Sequence, residues 1–236
     1  MIPLDWTEGK RVHELIRSIK GLPGPRRTRL LAVAFCDRVA HLLPDDASRE
    51  RIEIARRFAD KKARRTEMDE AHEAVRLAYA HRNRTQDLHA CAALRVLLGI
   101  LDPTSRSYAH FVAHDAADAM SHNRISQPPD SPTFGELDPL AVAAESAAQL
   151  RLLRDVLGRP DGIAPAEVRD WLGWHSGLVP KLARSIYDDR AFDRTPVLGD
   201  ALEDAGCTND DVLTHCRRPG PHTRGCWVVD LLLGLS

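Results

Sequence analysis

The sequence predicts an all-α fold, a multi-helix bundle of two packed helical units, and three observations predict it. Ala, Leu and Arg are abundant while aromatic residues make up only 5%. That mixture favours helices, because strands draw on β-branched and aromatic side chains. Apolar residues recur at three- and four-residue spacing along most of the chain. Clusters of Pro, Gly, Asn and Asp interrupt those runs where helices would end. With 236 residues, 43% of them apolar and 28% charged, the chain can bury a substantial core.

The elements follow in order. From Glu8 to Lys20, Val12, Leu15, Ile16 and Ile19 share a helical face, and Gly21-Leu22-Pro23-Gly24-Pro25 ends the run. A second helix is expected from Arg26 to Leu43, with Leu31, Ala34, Phe35, Val39 and Leu42 inward. Pro44-Asp45-Asp46 stops it, and Asp46 or Ser48 is positioned to cap a third helix carrying Ile52, Ile54, Ala55 and Phe58. A fourth runs from Glu67 to His81 and breaks at Asn83-Arg84-Thr85. Gln86 to Leu101, rich in Ala and Leu, reads as a buried helix. Asp102-Pro103-Thr104-Ser105 starts another, to about Ser121.

Residues 123–140 contain Pro128, Pro129, Pro132, Gly135 and Pro139, too many breakers for a regular element. They are read as a linker between an N-terminal helical unit, 1–122, and a C-terminal one, 141–236. The second unit opens with a helix from Leu140 to Leu157. Shorter helices follow at Ala166–Leu172, Val179–Asp189 and Pro196–Ala205, the last closed by Gly206. Thr208-Asn209-Asp210-Asp211 begins another. The loop Arg217-Arg218-Pro219-Gly220-Pro221 separates it from a final short helix ending near Leu233.

The N-terminus has no apolar run of the signal-sequence kind, and the run from Trp227 to Leu235 is too short to span a bilayer. Five unevenly spaced cysteines do not make a disulfide framework, so a reducing cytoplasm is the expected compartment. The net charge of −1 conceals a division: residues 1–65 carry 16 Lys and Arg against 9 Asp and Glu, and the remainder is acidic. Either the first part meets an anionic partner or the two parts complement each other.

Cys207, His215, Cys216, His222 and Cys226 lie close together near the C-terminus. Thiolate and imidazole donors at short spacing suit tetrahedral zinc, although no standard finger spacing is present. The competing reading buries the cysteines in an apolar core and uses the histidines at helix ends. A second candidate set is His110, His114 and Asp118, four residues apart and drifting by about 40° per step on a helix. His114-Asp115 resembles the centre of the HD phosphohydrolases, with His81 or His89 and Asp155 available for the other positions; a solvated helix face is the competing reading.

Two basic segments are candidates for anions or nucleic acid. Arg56, Arg57, Lys61, Lys62, Arg64 and Arg65 can neutralise phosphates, but they spread over a broad arc and Glu67, Asp69 and Glu70 follow directly. Arg217, Arg218 and Arg224 surround Gly220 and Gly225, where guanidinium and backbone N–H groups can hold a phosphate or carboxylate. The alternative pairs these arginines with Asp200, Glu203 or Asp204. Phosphate-loop, nucleophile-elbow and HExxH signatures are absent, which lowers the weight of an enzymatic reading. The leading expectation is a helical protein-interaction or adaptor module. A nucleic-acid or anion-binding protein comes next, and a metal-dependent hydrolase using a His/Asp cluster third.

The stretches RTRLLAVAFCDRVAHLLPDDASRERIEIARRFAD, SIYDDRAFDRTPVLGDALEDAGC and HCRRPGPHTRGCWVVDLLLG resemble a large paralogous family of uncharacterised planctomycete, hence bacterial, proteins. The likeness covers roughly residues 6–75 and 145–235. It implies that the GPHTRGCW segment is a family hallmark, and it brings no activity, ligand or catalytic residue with it.

Overall fold

A computed structural model describes residues 12–19, 24–84, 88–102, 108–122, 139–158, 160 and 162–235. Among these the regular structure is entirely helical, with no strand. The chain forms two compact units, one ending at Leu150 and the other beginning at Arg151. The division falls inside a helix. Of the expected linker, residues 123–138 lie outside the described residues, while Pro139 and Leu140 open that helix, with proline at the position it tolerates best.

The N-terminal unit contains α1 (Val12–Ser18), α2 (Pro25–Val39), α3 (Asp46–Ala59), α4 (Arg65–Arg84), α5 (Leu88–Leu101), α6 (Tyr108–His122) and the first turns of α7 (Pro139–Leu157). α2 is buried almost all round from Thr28 to Cys36, and α5 carries buried residues on several faces, from Ala90 to Leu101. Helices apolar on every side belong in the middle of a bundle. Accordingly α5 packs on α2, α3, α4 and α6, while α6 also meets α1 and α2. α5 and α6 come together at Gly99, where an added Cβ would stand 2.7 Å from Val112 Cγ2; only glycine permits that approach. The third helix is capped by Asp45, whose side chain accepts from Ser48 N–H at 2.7 Å, so the cap falls one residue before the expected Asp46. α4 runs through Asn83 and Arg84 rather than breaking there. Arg38 grips the buried Glu145 carboxylate with bonds of 2.8 and 2.9 Å, and Gln149 donates to Ala113 O at 3.0 Å. Those contacts fasten the first part of α7 to α2 and α6.

The C-terminal unit contains the last turns of α7, α8 (Pro165–Gly173), α9 (Leu178–Asp189), α10 (Thr195–Asp204), α11 (Asp210–Arg217) and α12 (Trp227–Leu233). Its core gathers Trp171, Val179, Ile186, Tyr187, Leu198, Leu202, Val212, Trp227 and Leu232. After α10 the chain turns through Gly206 at φ +85°, with Gly206 N–H on Glu203 O and Cys207 N–H on Leu202 O, both at 2.9 Å. In that turn the residue after the glycine packs on the helix it terminates, which buries Cys207 beside Leu202. α11 starts at Asn209, whose side chain accepts from Val212 N–H at 3.2 Å. Among the described residues, no helix is long and apolar enough to cross a membrane.

Candidate metal centre

Four side chains of the C-terminal unit converge. Asp155 lies near the end of α7, His215 near the end of α11, His222 in the following loop, and Cys226 just before α12. One donor atom from each lies within 4.8 Å of all the others. Nε2 of His215 stands 3.2 Å from Asp155 Oδ1 and 3.2 Å from Cys226 Sγ. Nδ1 of His222 is 2.7 Å from the same Asp155 oxygen and 3.9 Å from the same sulfur. A tetrahedral zinc with ordinary bond lengths has donor–donor edges of roughly 3.3–3.6 Å. Three of the four distances lie close to that span; the shortest is a hydrogen bond.

The arrangement is not a nucleophile with its base and orienting acid. Such a triad places thiol and carboxylate on opposite nitrogens of the imidazole, whereas here one nitrogen of His215 faces both. Burial, followed by the Asp155 charge, pushes the Cys226 thiol well above its usual 9.0; a resting thiolate is disfavoured unless a cation stabilises it. The group can hold a metal.

Two hydrogen bonds hold its side chains in place in the metal-free form. Thr223 N–H donates to Asp155 Oδ2 at 2.9 Å, and the Trp227 indole N–H donates to His215 Nδ1 at 2.9 Å. His222 Nε2 is buried without a hydrogen-bond partner. Burial pushes the Asp155 carboxyl up, but hydrogen bonds from His215 and His222 outweigh it and hold the group below 3.8. Burial pushes His215 below 6.5 against the pull of Asp155. Both folded values lie below the unfolded ones, so the stability these groups contribute is complete above 6.5 and is lost as pH falls. His215 acts first, from 6.5 downward, and Asp155 below 3.8. In chelator the urea midpoint of the C-terminal unit is therefore expected to fall as pH drops below about 6.5, and again below about 3.8. A flat midpoint between those two values would contradict the His215 assignment.

Three of the five residues picked from sequence, His215, His222 and Cys226, are thus brought together; Asp155 is the fourth donor. Cys207 and Cys216 stand outside that group, although they share the buried core with Cys226. Cys216 follows Val212 by four residues on the inward face of α11, and burial pushes its thiol up to about 12. The set His110, His114 and Asp118 is assembled differently. His114, Asp115 and Asp118 lie within reach of one another, with His114 Nδ1 3.5 Å from Asp118 and 3.6 Å from Asp115. His110 instead lies against the Phe111 ring. This group is partly buried: Asp115 pairs with Arg95 at 3.4 Å, and the His114 ring meets that of His13 edge-on at 5.1 Å. Asp155, nominated as a partner for His114-Asp115, has its oxygens on His215, His222 and Thr223.

The basic candidates are largely paired. Arg56 bridges Asp37 and Glu53, Arg57 and Arg64 reach Glu67, and Arg65 reaches Asp69. Lys61 and Lys62 are exposed beyond the end of α3. Arg217 bridges Asp200 and Glu203, and Arg224 lies over the Tyr187 ring at 4.8 Å. Arg218, half-buried, is the third positive residue of that loop. No family model matches the chain, and neither a curated protein nor a solved structure was found to be similar.

Proposed function

We propose that the C-terminal unit is a zinc-fastened helical module, with one Zn²⁺ held by Asp155, His215, His222 and Cys226. One observation carries this reading: two histidine nitrogens turn toward the same carboxylate oxygen and the same sulfur. A polar network centred on Asp155 needs the histidines; it does not need a thiol at the point where they meet. Imidazole, carboxylate and thiolate together favour zinc over the hard cations, which prefer oxygen alone.

The four donors are almost wholly buried, and four protein donors complete a tetrahedral shell. Hydrolytic zinc keeps one position open for water, so the closed set favours a structural ion. Structural zinc commonly fastens small binding modules, and a protein-interaction module is the class of function we propose for the chain. Such an ion would tie α7 to α11 and α12 across a loop that has little regular structure of its own.

Elemental analysis of the full chain purified without chelator tests this, together with Co²⁺ substitution. The expected result is about one zinc per chain and, with Co²⁺, thiolate charge-transfer absorption that disappears in Cys226→Ser. Trace zinc combined with failure to take up added Co²⁺ or Zn²⁺ would refute the reading.

A further inference from the structure

Trp227 is almost completely buried beside His215, its ring centroid 4.9 Å from the imidazole. Its indole N–H donates to Nδ1 at 2.9 Å. Indole nitrogen is a donor only, so Nδ1 must be the acceptor and a neutral His215 carries its proton on Nε2. That proton faces Asp155 Oδ1 and Cys226 Sγ.

A metal bound at Nε2 takes the lone pair there and leaves the imidazole proton on Nδ1. The Nδ1–H and the indole N–H would then confront each other with no acceptor between them. His222 has no comparable obstacle. Its Nε2 meets no hydrogen-bond partner, so its proton can sit there while Nδ1 binds metal. The two histidines are therefore unequal ligands.

We infer that Trp227 is a latch on this site: its hydrogen bond to His215 and metal ligation by His215 exclude one another, so loading turns the indole off Nδ1. The inference rests on the metal reading above and adds its regulation. The hydrogen-bonded form joins Trp227, His215, Asp155, His222 and Thr223 in one network, which competes with the metal for the same nitrogen. Affinity is set by the difference between the two forms. Whatever perturbs the packing of Trp227 shifts that balance without touching a ligand.

Trp227→Phe removes the donor while leaving an aromatic ring in the core. Wild type and variant are titrated with Co²⁺ and then competed with Zn²⁺. The folded variant is expected to bind about tenfold more tightly, because a buried donor left unmet costs on that order. Equal or weaker binding by a folded W227F chain overturns the latch while leaving the metal site standing. Binding by neither chain overturns both. Should W227F fail to fold, the ¹⁵N indole resonance of Trp227 in the wild type decides. Displacement of that resonance at saturating Zn²⁺ supports the latch, and a fixed resonance overturns it.

Discussion

Asp155→Ala is expected to destabilise the C-terminal unit by about 3–5 kcal/mol even in chelator, and to abolish metal uptake. Its carboxylate is wholly buried and accepts from His215, His222 and Thr223 N–H. Truncation leaves three buried donors without an acceptor and a cavity where the carboxylate stood. Since an ordinary domain is stable by about 5–15 kcal/mol, such a loss leaves little margin. Asp155→Asn should fall between the two: it keeps the shape and one acceptor oxygen but turns an amide donor toward a histidine N–H. Urea unfolding with and without zinc separates the contributions. In chelator the difference between wild type and variant measures the hydrogen-bond network. In excess zinc it widens by the linkage of metal to the folded form. A loss below about 1 kcal/mol in chelator would show that the network is not what holds α7 to the loop before α12.

How much of this was legible beforehand depends on the distance over which each signal acts. The helices were legible because periodicity is local, and α2 and α5 declare their central positions by being apolar all round. Helix ends were less so. Asp45 and Asp46 are equally able to cap, and backbone geometry decides between them. The centre was half visible. His215, His222 and Cys226 lie within one short stretch, but Asp155 is separated from it by three helices, α8 to α10. It does leave a trace: it sits three residues after Leu152, an acid on the face that also carries Ala148 and Val156, all buried. Such an acid requires donors, and those donors are the two histidines. Cys207 and Cys216 misled because cysteine is both a ligand and a small hydrophobe. Their spacing from Leu202 and Val212 would have sorted them.

The second large effect is expected at Arg29, where Arg29→Ala should destabilise the N-terminal unit by about 2–4 kcal/mol. Arg29 is 5% exposed, and its Nη1 donates to Ile100 O at 2.7 Å and Asp102 O at 3.1 Å. These carbonyls lie at the end of α5, where the helix cannot satisfy its own acceptors and where a positive charge complements the dipole. The guanidinium also lies 5.0 Å from the centroid of Phe58 on α3, so one side chain fastens three helices. Arg29→Lys keeps the charge but not the planar fork, and should recover only part of the loss. Arg64 is the control. It is 84% exposed and reaches Glu67 at 3.7 Å, so Arg64→Ala should leave the urea midpoint unchanged. The contrast bears on the positive excess of residues 1–65. Arg26 on Asp60, Arg38 on Glu145 and Arg56 on Asp37 repeat the pattern of arginines turned inward to acids of the same unit. Charge committed to packing is not available to an anionic partner. A loss below about 1 kcal/mol on removing Arg29 would return that excess to a role at the surface, and phosphate binding would then be the property to measure.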